Sequence, residues 1–265
     1  MLEEQEQERR FKAVYDRIGR HVGCAVVFPS SNAPPEAAMN GPKGTVSFVD
    51  TGRRQFALTC DHVWQDFQDI RATNANAELV VFGTSGHDSF FMSDAHVIAT
   101  GAEHLDLITL DVPDLSERLA WSGKSFYEAA RWPPPLPEVN DAVISVGYPG
   151  AHQHPDSDDS RSAVQLRPAV FVLTVSSVSN RHAVLAENTD NDPRRLVQSD
   201  PGLEVTTSLG GISGSAVFVY DNNDVRLAGV VYEASPNGHE SVLYVAHASY
   251  VLADGTLDLV KLPPF

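Results

Sequence analysis

Near the C-terminal end, the stretch "GGISGSA" (Gly210 to Ala216) sets Ser213 among small residues, and the apolar run "VFVY" follows it. Glycine serves tight turns and backbone that must approach another group closely. The stretch therefore fits either a simple bend or an exposed hydroxyl aimed at a substrate. A hydroxyl is a poor nucleophile until a neighbouring imidazole can take its proton. The imidazole in turn needs a carboxylate that holds its tautomer and stabilises its charged form. His62, in "ALTCDHVWQ", follows an apolar strand and lies where that strand ends and the chain turns. Asp106, in "EHLDLITLDV", heads an alternating strand. Taken singly, each has an ordinary explanation: a structural histidine, a solvated strand-edge carboxylate, a turn serine. Taken together they offer a base, an orienting carboxylate and a nucleophile. Asp111 on the same strand is the rival carboxylate. Side chains alternate along a strand, so Asp106 and Asp111 point to opposite faces, and Asp106 is favoured because it starts the strand.

Elements able to position these groups are legible on both sides of them. In "EEQEQERRFKAVYDRIGRHV" the residues Phe11, Val14, Ile18 and Val22 recur at helical spacing among charges. This predicts an amphipathic helix over residues 3–19, within an N-terminal segment 1–20. Beyond it come "GCAVVFP", "GTVSFVD", "QFALTC", "ELVVFG", "HVIAT" and "DLITLDV", short β-branched and aromatic runs separated by Gly, Asn, Asp and Pro. That is how an all-β sandwich or barrel reads. "DTGRR" joins two of these runs as a hairpin turn. "RWPPPLPEVN" (Arg131 to Asn140) interrupts the pattern, because consecutive prolines favour extended polyproline II and cannot sit in a central strand. Strand-like runs then resume with "DAVISVGYPG", "AVFVLTVSSVS", "AVLAEN", "SAVFVYD", "RLAGVVYE" and "SVLYVAH". The expectation is an all-β chain of two packed β-barrels, residues 21–130 and 141–265, joined by a linker over 131–140. A cleft between them is a common place for a substrate site.

Composition narrows the function. The chain has 265 residues, 42% hydrophobic and 20% charged, an ordinary globular balance. A net charge of −16 argues against nucleic acid or an anionic membrane as partner, since phosphate binding needs clustered Lys and Arg. The acidic start "MLEEQEQERR" does not read as a secretory signal, and no apolar run approaches the roughly 18 residues of a membrane span. Two cysteines, Cys24 and Cys60, provide no disulfide framework. The expectation is a cytoplasmic protein with free thiols.

At this point the sequence resembles the chymotrypsin-like (trypsin-like) serine peptidases of the bacterial or intracellular type. "LTCDHV" resembles the family's histidine motif, "DLITLDV" its aspartate strand and "GGISGSAVF" its Gly-x-Ser-Gly serine motif, while "ISVGYPG" is typical of its early second-barrel strands. The resemblance implies two six-stranded antiparallel barrels and a triad of His62 as base, Asp106 as orienting carboxylate and Ser213 as nucleophile. It implies an oxyanion hole from the backbone amides of Gly211 and Ser213, each donor of this kind being worth on the order of 10² to 10³ in rate. It also places Thr207, Ser208, Tyr232, Glu233 and Ala234 at the specificity pocket, with no buried carboxylate to select Lys or Arg. A small or uncharged P1 side chain is expected, with a protein or peptide as substrate, no cofactor and no metal. Secreted members carry Asp just before the serine, to pair with a newly cut N-terminus; here that residue is Ile212, so no such activation is expected. Local packing or a regulatory protein partner must order the site instead. Two other functions remain open: a degenerate peptide-binding or scaffold module, and an esterase using the same triad.

Other motifs fail on their own terms. A lone "DTG" lacks the second carboxylate of an aspartic peptidase. "WSGKS" lacks the leading glycine of a phosphate loop, Arg118 holding that place. "GISGS" departs from the nucleophile elbow at Ser215. "HQHPDSDDS" reads as a polar surface loop rather than a metal site.

Overall fold

The structure is a computed structural model that describes residues 9, 13, 16–30, 33, 41–83, 88–101, 105–149, 153–155, 164–166, 168–186, 210–221, 224–237, 240–258 and 260. The chain is mostly β. The expected N-terminal helix is described at Arg9, Ala13 and residues 16–18, where it runs into a 3-10 turn at Gly19–His21; the rest of that expectation lies outside the described residues. Strands β1 (Val22–Phe28), β2 (Lys43–Asp50), β3 (Gln55–Thr59), β4 (Glu78–Phe82), β5 (Ser89–Phe91), β6 (His96–Thr100) and β7 (Ile108–Asp111) form one antiparallel sheet in the order β5-β4-β1-β2-β3-β7-β6. A short strand β8 (Tyr127–Glu128) adds to it by a parallel pairing with β2. The second half contains β9 (Ala142–Gly147), a separate hairpin of β10 (Gln153–Pro155) and β11 (Val164–Leu166), then β12 (Ala169–Val178), β13 (His182–Ala186), β14 (Ala216–Asp221), β15 (Asp224–Asn237) and β16 (Glu240–His247). Six of these close a barrel in the order β12-β13-β16-β15-β14-β9.

Each of the twelve runs picked out by their β-branched pattern contributes a strand. Among the described residues the first sheet is a half-barrel, a path that ends at β5 and β6, packed against the closed one. Two helices were not anticipated, α1 (Asp61–Thr73) and α2 (Leu115–Trp121). The α1 sequence carries Val63, Phe67 and Ile70 at helical spacing, with Val63, Trp64 and Phe67 buried. Its period was hidden behind the strand that runs directly into it.

Alternation explains how one chain fills several cores. On β1, Cys24 and Val26 face a hydrophobic cluster shared by both halves, while Ala25 and Val27 face the interior of the first sheet. On β14, Ala216 and Phe218 join that shared cluster, and Val217 and Val219 fill the closed barrel. Successive side chains on a strand point to opposite faces, so a strand buried on both reads as a continuous apolar run. The shared layer also takes Ile144, Val146 and Tyr148 from the second half and Phe56, Leu58 and Cys60 from the first. Both halves therefore meet over a packed apolar surface, and the strand ends rimming it are fixed relative to one another. The 131–140 segment is packed too: Trp132 stacks edge-on against Phe56 and donates its indole N–H to Val251 O at 2.7 Å.

Candidate active site

His62 is the second residue of α1, and Cys60, the last residue before the helix, is fully buried in the shared core. Asp61 lies in the first turn, where a carboxylate favours the positive end of the helix dipole. Burial of Val63 and Trp64 on the other side of this turn leaves the His62 ring 44% exposed. Asp106 lies just ahead of β7, between Leu105 and Leu107, both of which are buried. Its backbone bend is set by Leu107 N–H donating to Leu105 O at 2.7 Å and Gly101 N–H donating to Leu107 O at 2.8 Å. With its neighbours anchored inward, the Asp106 side chain is directed to the rim.

There the two meet. Asp106 Oδ2 lies 2.5 Å from His62 Nδ1, and Asp106 Oδ1 accepts the His62 backbone N–H at 3.1 Å. One carboxylate thus grips both the ring and the backbone that carries it, leaving Nδ1 protonated and Nε2 free to accept a proton. The hydrogen bond to Asp106 raises the His62 pKa; burial opposes this, and the charges of Asp106, Asp66 and Asp61 add to it. Asp111, the rival, is exposed and pairs with Arg54 at 3.0 Å.

Ser213 stands in a turn that belongs to the closed barrel but is fastened to the first sheet. Ser215 N–H donates to Ile212 O at 2.9 Å, and Gly214 has φ 92°, as the third residue of a type II turn requires. Ser213 O accepts Thr45 N–H at 2.7 Å, Thr45 Oγ1 donates to Gly211 O at 3.1 Å, and Ser47 Oγ donates to Gly214 O at 3.1 Å. A Cβ on Gly214 would lie 1.7 Å from Thr45 O, so only glycine fits. On the barrel side Ile212 is 1% exposed in the barrel core. Gly214 N–H and the Cys60 thiol share one acceptor, Val231 O, at 2.8 and 3.0 Å. The same carbonyl thus ties the serine turn to the residue two before His62. A Cβ built on Gly44 would meet Val63 at 2.6 Å and Ser213 O at 3.3 Å, which measures how closely the start of α1 and the turn converge.

The amides of Gly211 (φ 96°) and Ser213 have no hydrogen-bond acceptor among the described residues. Ser213 is half-buried, and among the described residues its hydroxyl makes no hydrogen bond to His62. Tyr232 is half-buried where the register between β15 and β16 shifts, a bulge that re-aims its side chain. Its pKa is pushed up to about 12, mainly by burial, with the charges of Glu233, Tyr244, Asp106 and Cys60 adding to the rise. Glu233 is exposed and Ala234 half-buried, while Thr207 and Ser208 lie outside the described residues. The contribution of Cys60 was not read from the sequence, where it stood only as one of two cysteines.

No family model matches the chain, and no curated protein matches it in sequence. Solved structures match it along most of its length. A thermostable serine protease from an extremophilic microorganism is 12% identical, with 86% of this chain and 91% of that one covered and a TM-score of 0.47. The serine protease domain of the Sesbania mosaic virus polyprotein is 12% identical, with 86% and 89% covered and a TM-score of 0.44. Human heparin binding protein is 13% identical, with 86% of each chain covered and a TM-score of 0.46. These are what the chain is similar to in shape; its chemistry rests on its own residues.

Proposed function

We propose that the chain is a serine endopeptidase of the trypsin-like type, acting through His62, Asp106 and Ser213. The observation that carries the reading is the double grip of Asp106 on His62, made beside the turn that presents Ser213. In this reading Ser213 Oγ attacks the scissile carbonyl while its proton passes to His62 Nε2, and Asp106 stabilises the imidazolium. The oxygen that gains charge is received by the Gly211 and Ser213 amides. The imidazolium then protonates the leaving amine, and water attacks the acyl-enzyme with His62 again as base. Hydrogen bonds between nucleophile and base are often long in a free enzyme and tighten with substrate bound, which accommodates the unmade Ser213–His62 bond.

Tyr232 and Ala234 narrow the pocket toward a small or uncharged P1 residue, and a peptide library cut mainly after Arg or Lys would overturn that specificity. Buried Ile212 supports a site ordered by packing, without cleavage of the chain. Cys24 and Cys60 are buried and form no disulfide, which fits a reducing, cytoplasmic setting. Digestion of casein by the purified chain alone would argue against a regulatory protein partner.

The unmade Ser213–His62 bond favours one second reading, a peptide-binding module that keeps the fold without turnover. A fluorophosphonate label separates the two. Modification of Ser213, absent in Ser213→Ala and strongly reduced in His62→Ala, is the expected result. A folded wild-type protein that takes no label would overturn the peptidase.

A further inference from the structure

We propose that Cys60, His62 and Asp106 form an inhibitory binding site for a thiophilic divalent cation, with Zn²⁺ as its probe. One ligand atom from each of the three lies within 4.8 Å of the other two. A thiol, an imidazole and a carboxylate are the donor types that zinc takes, and three protein ligands with one open position for water are a common arrangement. Zinc bonds of about 2.0 to 2.3 Å place ligand atoms roughly 3.3 to 3.7 Å apart in a tetrahedron. The Cys60 sulfur must therefore draw inward, while the 2.5 Å contact between His62 Nδ1 and Asp106 Oδ2 must open. From separations of at most 4.8 Å and from 2.5 Å, these shifts are of about 1 to 1.5 Å at most.

The surroundings favour a cation. Asp61 and Asp66 add negative charge at His62, no basic side chain among the described residues stands among the groups that shift that ring or Cys60, and the chain carries −16 overall. Thiolate and carboxylate together neutralise a divalent ion. Entry is from the solvent face of His62, whose ring is 44% exposed. Burial holds the thiol in its protonated form, so the ion must displace that proton to solvent as it binds. The single proton of the neutral ring must also move from Nδ1 to Nε2, by exchange with solvent, as the ion takes Nδ1. An Nε2–H cannot accept the proton of Ser213. Occupancy thus removes the base and its carboxylate together, and it withdraws Cys60 from Val231 O, the carbonyl that also holds Gly214.

Inhibition rests on the peptidase reading, but binding does not, and the two are measured apart. Co²⁺ titrated into the Ser213→Ala protein reports on the site through its thiolate-to-metal charge-transfer absorbance. The expected result is a band saturating at one equivalent and displaced by Zn²⁺. In Cys60→Ser, which keeps a hydroxyl to donate to Val231 O, the band is lost; in Asp106→Asn the Co²⁺ affinity falls at least about tenfold. The absence of a band in folded Ser213→Ala overturns the site. So does a band of full strength in Cys60→Ser, which would assign the thiolate to Cys24. With wild-type protein, Zn²⁺ is expected to block fluorophosphonate labelling and EDTA to restore it. A Co²⁺ band in a protein that never takes the label leaves the cation site standing and removes the peptidase. Labelling indifferent to saturating Zn²⁺ removes the inhibition.

Discussion

At the scale of single residues, the His62–Asp106 pair makes a prediction with a sign. Asp106 holds the His62 proton more tightly than water does, so the ring's pKa lies above the usual 6.5. A general base must be unprotonated, so the acid limb of kcat/KM falls tenfold per pH unit below that raised value. In Asp106→Asn the hydrogen bond that raises the pKa is gone. The limb then moves to lower pH, while kcat drops by on the order of 10⁴ because the ring is no longer held in the productive tautomer. A pH–rate profile flat from pH 5 to 8 in the wild type would remove His62 from the base role. Gly214 makes a second prediction. Its φ of 92° and the 1.7 Å approach of Thr45 O leave no place for a methyl group. Gly214→Ala is expected to destabilise the fold by about 3 kcal/mol or more, read from the urea midpoint, and to abolish labelling of Ser213.

At the scale of elements, much of the candidate site was legible because His62, Asp106 and Ser213 sit at the ends of strands with strong apolar patterns. "QFALT" runs up to Cys60 and "ITLD" starts two residues after Asp106. What stayed hidden has a physical cause. The α1 helix follows β3 after one residue, so its spacing was read as the tail of a strand and a turn. The path of the first sheet, which ends at β5 and β6, depends on which strands pair, and alternation within a strand says nothing about that. The fastening of the serine turn by Thr45 and Ser47 is a contact between residues more than 160 positions apart, beyond any local pattern. In the same turn Ile212 occupies the position where the peptidases that the sequence resembles carry an activation carboxylate. Ile212, 1% exposed, anchors the turn in the barrel core. Ile212→Ala is expected to cost about 2 to 5 kcal/mol and Ile212→Val about 0.5 to 1.5. Labelling should slow more in the alanine variant than in valine at a temperature where both remain folded. Equal slowing would make the anchor irrelevant to the site.

At the scale of the whole molecule, acid acts on the two halves through two buried histidines. His21 is 6% exposed, with Nδ1 3.1 Å from Ser125 O, and burial above all holds its pKa down to about 4; the charges of Arg20 and Lys124 lower it further against hydrogen bonds that raise it. His247, in the closed barrel, is 0% exposed and its pKa is also lowered by burial, while its bond to Ser179 O opposes the shift. Both rings stay neutral in the folded chain where the unfolded chain has them protonated. Below about pH 6.5 the unfolded state therefore binds more protons, and stability falls as pH drops. For His21 this loss continues to about pH 4 and amounts to about 3 kcal/mol. His62 works in the opposite sense: its raised pKa contributes stability that is complete below 6.5 and is lost as pH rises through the folded value. Because that ring is 44% exposed, its contribution is heavily screened, and the buried pair decides the outcome. Urea midpoints measured at pH 7.5, 6 and 5 should decline steadily. In His21→Gln, which keeps a donor for Ser125 O without a titrating ring, the decline should be shallower even though the midpoint at pH 7.5 is lower. Parallel declines in the two proteins would mean that the acid sensitivity lies elsewhere than in the ring that ties the start of β1 to Ser125.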